Sequence, residues 1–227
     1  MHTVTLVILD CDGVLVDGEL IAHGIYARQF SSIGFPLTTT ECLQRFSGTC
    51  EQDMVEEVER EQGLTLSPDF KQALHESVLE AFKTQLQPMP GVGAFLRTLR
   101  DSNIQFCVAT NGKPDRVRYA LTHTNLIEYF PPQQIFDISL VKRGKPSPDL
   151  FLRASQECNS AHTECLVIDD SILGIRAAHA AFMPVAGFLG GSHAQERWYE
   201  EKLALEHPTY LIKSMEELAE KIISHEW

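Results

Sequence analysis

Three short polar groups each follow directly on a run of apolar residues: Asp10-Cys11-Asp12-Gly13, Thr110-Asn111-Gly112 and Asp169-Asp170-Ser171. Carboxylates gathered in one cleft repel one another unless a cation joins them. Hard oxygen donors of this kind suit Mg²⁺, which prefers carboxylate, water and phosphate oxygens. Lys145 adds a cation within Arg143-Gly144-Lys145-Pro146-Ser147-Pro148. Ser147 followed by Pro148 predicts a helix N-cap and first-turn pair, which would fix the backbone after the lysine and aim its ammonium at an anion. Taken singly, each group could equally be the polar start of a loop, and Lys145 a solvated loop lysine. Asp10-Cys11-Asp12-Gly13 is not an EF-hand, because Val14 breaks the ligand pattern and no Glu closes the loop at the required offset.

The elements that would bring these groups together are legible in the apolar pattern. Val4 to Leu9 is a short β-branched run that ends at Asp10, as expected of a strand buried on both faces of a parallel sheet. Phe106 to Ala109, ending in Thr110, and Leu166 to Ile168, ending in Asp169, repeat the pattern, and Met183 to Phe188 is a weaker instance. Helical periodicity over Ala94–Arg100 and Asp115–Thr122 alternates with them. Strand and helix in alternation predict an α/β fold with a parallel, Rossmann-like sheet.

Residues 19–86 read differently. Apolar positions at 21, 25, 30 and 33 predict a helix over Glu19–Ile33 that stops at Gly34, and Thr38-x-x-Glu41 is a capping box for a second. Glu51 to Gln62 predicts an acidic helix closed by Gly63, and Pro68 to Leu86 a fourth helix. The stretch carries eleven acidic and five basic residues. The expected organisation is an α/β core formed by 1–16 and 88–227, with an all-helical domain over 17–87 inserted after the first strand. Ligands in open parallel sheets bind beyond the carboxyl ends of the strands, so an insert there would lie over the site as a lid. Ser214-x-x-Glu217 predicts the start of a final amphipathic helix.

Bulk properties narrow the function. The 227 residues carry a net charge of −12, which argues against nucleic acid or an anionic membrane as partner. No run approaches the ~20 apolar residues of a membrane span. Met1 to Val4 carries no basic segment, and the apolar run after it is too short for a signal peptide. The expected location is the cytoplasm. The six cysteines, at 11, 42, 50, 107, 158 and 165, have no C-x₂-C spacing and read as reduced structural thiols. The nine histidines lack metal-binding spacing.

Together, the Asp-x-Asp of Asp10 and Asp12, then Thr110, Lys145 and the acidic pair Asp169 and Asp170, resemble the motif series of the haloacid dehalogenase-like superfamily, in its order and over almost the whole α/β core. The helical insert resembles the C1-type cap of the subgroup that includes β-phosphoglucomutases and sugar-phosphate phosphatases. Gln44-Arg45-Phe46-Ser47-Gly48, Ala109-Thr110-Asn111-Gly112 and Lys145-Pro146-Ser147-Pro148-Asp149 are most similar to bacterial 6-phosphogluconate phosphatases.

The resemblance implies a Mg²⁺-dependent phosphatase acting on a small phosphate ester. Asp10 would be the nucleophile and Asp12 the general acid and base. Mg²⁺ would be held by Asp10, Asp12 (through its carbonyl) and Asp170, with Asp169 a direct or water-mediated partner. Thr110, the Asn111 backbone amide and Lys145 would hold the phosphoryl oxygens. Arg45, Gly48 and, near the hinge, Glu19, all in the insert, are candidates for meeting substrate, Arg45 through a carboxylate on a sugar acid; an Arg45 paired with neighbouring cap acids is the competing expectation. A phosphomutase is disfavoured, because such enzymes carry His where Ala22 stands and Arg where Glu51 stands, and His23 is out of register. Dehalogenation is disfavoured by Asp12, and phosphonate hydrolysis by the lack of a suitably placed cap lysine, Lys71 and Lys83 being the only ones. A non-catalytic phosphometabolite-binding protein would be expected to lose one of these residues. The sequence does not specify an oligomeric state and is compatible with a monomer.

Overall fold

Residues 4–224 are described by a computed structural model; the outermost three residues at each end of the expected core unit lie outside the described residues. The first strand, β1 (Leu6–Leu9), contains only apolar residues because all four are buried, as a strand covered on both faces requires. Four helices follow: α1 (Glu19–Ser32), α2 (Thr39–Phe46), α3 (Glu51–Gln62) and α4 (Pro68–Gln85). The chain then alternates through α5 (Val92–Asp101), β2 (Gln105–Ala109), α6 (Pro114–His123), β3 (Ile135–Phe136) and α7 (Asp149–Glu157). It ends with β4 (Cys165–Asp169), α8 (Ile172–Ala180), β5 (Val185–Phe188), α9 (Arg197–Ala204), β6 (Tyr210–Ile212) and α10 (Met215–Ile223).

The strands form one parallel six-stranded sheet in the order β3-β2-β1-β4-β5-β6. The order reverses at β1, and Leu9 is level with both Val108 and Ile168. The first polar residue after β1 therefore emerges between the ends of β2 and β4, at the switch point where such sheets bind ligands. Side chains alternate across the sheet: Val7 and Leu9 join the core beneath α5 and α10, and Leu6 and Ile8 join the core beneath α7 and α8.

The short edge strands β3 and β6 were not expected. Two and three residues are too few to show a period, and their pairing comes from the neighbouring strand. The expected Ser147 cap also lies elsewhere: Pro148 occupies the N-cap position of α7, while Ser147 Oγ donates to Asp149 Oδ1 at 2.6 Å instead of capping a backbone amide.

The segment between β1 and α5 is helical, and its two ends run side by side. Val16 bridges Pro88 in antiparallel fashion, Asp17 N donates to Gln87 O at 3.0 Å, and Met89 N donates to Leu15 O at 2.9 Å. The Thr38 capping box is present: Glu41 N donates to Thr38 Oγ1 at 3.1 Å, and Thr38 N donates to Glu41 Oε2 at 2.7 Å. Gly63 closes α3 with φ +62°, in the left-handed region that glycine favours. All six cysteines are free thiols, and none of the described helices is long and apolar enough to cross a membrane.

Replacing Thr38 by Ala removes one of the two reciprocal cap bonds. It should lower stability by about 1 kcal/mol in urea denaturation; an unchanged midpoint would mean that the cap contributes nothing to the insert.

Candidate active site

The three loops that follow β1, β2 and β4 meet at one point. Asp10 is set by its own backbone, whose N–H continues the sheet by donating to Ile168 O at 3.0 Å. Its Oδ1 accepts from Lys145 Nζ at 2.6 Å, and the same ammonium donates to Asp169 Oδ2 at 2.7 Å. The Lys145 side chain is only 2% exposed. Burial opposes its charge, but Asp10 and Asp169 outweigh that and hold its pKa above the ordinary lysine value. The ring of Phe151, 5.0 Å from Nζ, adds a cation–π contact.

Asn111 fixes where Lys145 stands. Its Oδ1 accepts from Lys145 N at 2.9 Å, and its Nδ2 donates to Lys145 O at 3.1 Å and to Gly48 O of the insert at 2.8 Å. The Asn111 side chain is thus a brace for the lysine loop, a role apart from the one expected of its backbone amide. Thr110 N continues the sheet by donating to Phe136 O, and its buried hydroxyl accepts from Gly112 N at 3.2 Å. Asp169 Oδ1 accepts from Ser171 N and Ser171 Oγ, so both of its oxygens are engaged.

Oxygens of Asp10, Asp169 and Asp170 lie within 4.8 Å of one another, and all three residues are buried. Asp170 Oδ2 has no hydrogen bond; His193 Nε2 lies 2.7 Å away, but the geometry is not that of a hydrogen bond, so the contact is one of proximity and charge. Gly13, with φ +83°, leaves open the space beside that oxygen, since a Cβ there would come within 2.0 Å of it. Burial pushes the Asp10 carboxyl well above the ordinary range, Lys145 pulls it back, and Asp169 and Asp170 push it up. Asp170 is pushed up to about 7, by burial against the pull of His193. Clustered buried carboxylates, one with an oxygen that makes no hydrogen bond, are a donor set that fits Mg²⁺.

Asp12 points the other way, toward the insert. Its Oδ2 pairs with Arg116 of α6, and its Oδ1 is buried without a partner. Burial raises the Asp12 pKa, with Arg116 opposing. The cleft above Asp10 and Asp12 is a cavity of about 60 Å³ whose lining includes Thr110, Asn111 and Lys145, and from the insert Glu19, Ala22, His23, Tyr26, Gly48, Glu51 and His75. Residues of the insert and of the strand-end loops line this cavity together. Ties across the junction include Lys113 Nζ to Glu51 Oε1 at 2.6 Å, His75 Nε2 to Asp115 Oδ2 at 2.8 Å and Ser47 Oγ to Tyr199 Oη at 2.8 Å.

Glu19 and Gly48 line this cleft, as expected of substrate candidates, but Arg45 does not. Its guanidinium pairs with Glu57 at 2.8 Å and Glu61 at 2.5 Å and lies over the rings of Phe35 and Phe46, because the acidic α3 is its nearest counter-charge. Glu19 is held by His23 at 2.9 Å; burial alone would raise its carboxyl, but His23, His193 and Arg116 bring it to about 2. His23 Nδ1 also meets Cys42 Sγ at 3.3 Å, so both of its nitrogens are engaged.

The cations that do face the cleft, Lys113 and Arg116, were missed. Both stand at the N-terminal turn of α6, where the helix dipole disfavours positive charge. Their position against the dipole was the available signal.

The chain matches the family model of haloacid dehalogenase-like hydrolases over residues 4–181. It is 29% identical to the 6-phosphogluconate phosphatase of Escherichia coli over 194 residues, covering 85% of this chain and 86% of that one. It is 30% identical to a phosphorylated carbohydrates phosphatase of Thermotoga maritima over 179 residues, covering 77% and 80%. A crystal structure of a haloacid dehalogenase-like protein of unknown function from Agrobacterium tumefaciens superposes with a TM-score of 0.83 at 29% identity, covering 99% of this chain and all of that one.

Two outcomes follow from this geometry. Ala in place of Gly174 would normally favour a helix, but its Cβ would lie 1.8 Å from Asp169 Cγ. Gly174→Ala should therefore lower the melting temperature and abolish phosphate release; a stabilised, active variant would contradict the packing. Carboxyls whose pKa is raised in the fold favour folding at low pH, and that contribution is lost as pH rises from the unfolded value of ~4 through the folded one, about 7 for Asp170. Mg²⁺ would replace those protons. Its stabilisation in thermal melts, measured against EDTA, should be larger at pH 7.5 than at pH 5; equal shifts would contradict the assignment.

Proposed function

This chain belongs to the haloacid dehalogenase-like hydrolases and is a phosphatase, and we propose that it hydrolyses a phosphorylated sugar or sugar acid by way of a phosphoryl group carried on Asp10. The observation that carries this reading is the Asp10 carboxylate at the switch point of the sheet, 2.6 Å from a buried lysine ammonium and clustered with Asp169 and Asp170. Naming of the Escherichia coli and Thermotoga maritima relatives supports the substrate class.

In the proposed sequence, an Asp10 oxygen attacks phosphorus as the ester P–O bond breaks. Asp12 gives its proton to the departing alkoxide, leaving an aspartyl-phosphate and a free alcohol. Asp12 then takes a proton from water as that water attacks phosphorus and the P–O bond to Asp10 breaks, which releases phosphate and restores both carboxyls. Burial raises the Asp12 pKa, the direction that favours giving up a proton to the alkoxide. Lys145 and Thr110 are proposed to hold the equatorial oxygens, where charge spreads in the loose transition state. The Asn111 side chain acts through Lys145, and its backbone amide is proposed as a further donor.

Asp10, Asp170 and the Asp12 carbonyl, with Asp169 close by, would hold Mg²⁺, whose charge offsets the repulsion between carboxylate and phosphate. Residues 17–87 are proposed as the cap domain that opens to admit substrate and closes to exclude water during the first step. Hydrolysis is favoured over transfer to a second sugar hydroxyl by Ala22 at the cleft and by the fully engaged His23, which leaves no free imidazole for a sugar hydroxyl.

Phosphate release from a panel of sugar phosphates and phosphosugar acids, with Mg²⁺ or EDTA, tests the reading. Asp10→Asn should abolish release. Asp12→Asn should lower kcat by about 10²–10⁴-fold with little change in KM. Turnover retained by Asp10→Asn would rule out the covalent route.

A further inference from the structure

A second cavity, of about 200 Å³, lies at the junction between the insert and the core. Arg45 and Thr49 line it from the insert; Arg176 of α8, with Tyr199 and Lys202 of α9, lines it from the core. No Asp or Glu stands among the described residues around it, in a chain with 31 acidic residues against 19 basic ones. Thr49 also lines the cleft above Asp10 and Asp12, and the two cavities are otherwise walled by different residues.

The three cations of this cavity are unequally satisfied. Arg45 spends its Nη2 on Glu57 and Glu61. Arg176 forms a fork with Glu206, Nε to Oε2 at 2.8 Å and Nη2 to Oε1 at 2.7 Å, and its Nη1 has no hydrogen-bond partner among the described residues. Lys202 is half-buried and has no carboxylate of its own: its Nζ donates to a neutral carbonyl of the insert, Gln44 O, at 2.5 Å. An ammonium carries three donors, so most of its capacity is unused. Burial pushes its pKa down, Arg176 pushes the same way, and Glu206 offsets only part of this. Glu206 thus serves two cations at once. The Thr49 hydroxyl, also half-buried, has no hydrogen-bond partner among the described residues.

We propose that this junction cavity is a binding site for a phosphate dianion, free or carried on a small organic molecule, distinct from the site above Asp10. A partly dry cation without an anion is costly, and the occupant supplies the anion that Lys202 lacks. The free donors come from three elements: the Thr49 hydroxyl between α2 and α3, Arg176 on α8 and Lys202 on α9. A tetrahedral oxoanion accepts from several directions at once, whereas a carboxylate offers two oxygens along one edge, and bonds of this charge-assisted kind are about twice as strong as neutral ones. Ile172, Leu173 and Leu203 supply apolar wall that suits an organic body. Because its donors come from both sides of the junction, the occupant adds a tie between insert and core.

Amide NMR of the full chain in EDTA, titrated with inorganic phosphate at constant ionic strength, tests the site. The amides of Thr49, Arg176 and Lys202 should shift on one saturable curve. Acetate should act at least about tenfold more weakly, the range of one charge-assisted hydrogen bond. Lys202→Gln should weaken phosphate binding by at least about tenfold, and Lys202→Arg should retain it. Arg176→Gln alters a side chain that is 56% exposed, so it should weaken binding without disturbing the core. Shifts confined to the residues after β1, β2 and β4 would put phosphate in the other cleft alone and overturn the proposal. An unchanged curve in Lys202→Gln, or acetate matching phosphate, would overturn it too. Wild type with no saturable shift at these amides would do so without any variant, so the result does not depend on the folding of Lys202→Gln. Phenylphosphonate, whose P–C bond is not an ester, separates the two sources, and either result supports the site. Tighter binding than phosphate assigns a phosphate borne on an organic body; equal or weaker binding assigns the free ion.

Discussion

Buried between Asp10 and Asp169, the Lys145 ammonium supplies the counter-charge that lets carboxylates from two strand ends share a dry pocket. Removing one partner of such a buried pair generally costs about 3–5 kcal/mol, because the remaining charge is stranded. The lysine must therefore be held as firmly as the acids. Asn111 does this by gripping the backbone of Lys145 on both sides, and Ser171 does the equivalent for Asp169. Parallel pairing of β1 with β2 and β4 brings the braces and the braced groups to one level. The site is thus assembled by backbone register first and by side-chain chemistry second.

The balance of charge in the cleft follows from this. The protein is strongly acidic as a whole, and the anion-binding capacity of the cleft is concentrated in three cations with distinct surroundings. Lys145 is enclosed by carboxylates at the strand ends, Arg116 is clamped between Asp12 and the aromatic residues of the insert, and Lys113 is a half-exposed partner of Glu51. Each is neutralised by acids already in the protein. On the proposed reading, a phosphate ester entering this cleft would exchange partners with them.

Much of this was legible in the sequence, for reasons that can be named. Buried parallel strands must be continuously apolar, so Leu6–Leu9, the run through Val108 and the run through Ile168 stood out, and the polar residues ending them could be read as a common edge. The capping box at Thr38 and the left-handed stop at Gly63 are local signals, and both are present. The edge strands β3 and β6 gave no such signal, since their form depends on a neighbour distant in sequence. Arg45 shows the limit from the other side: its neighbours Phe46 and Gly48 drew attention to it, while the pairing that decides its direction comes from α3, more than ten residues on. Arg116 escaped notice because nothing local connects it to Asp12, 104 positions away.

The side-by-side departure and return of the insert, with Val16 bridged to Pro88 and Asp17 to Gln87, has a bearing on how this architecture diversifies. A segment whose ends are already neighbours can be lengthened, shortened or exchanged for another fold without changing the register of any strand. On the proposed reading, phosphoryl handling on the sheet and contacts made by the insert would be separable traits. Replacing the contents between two adjacent stitches would leave the buried lysine and its carboxylates where they stand.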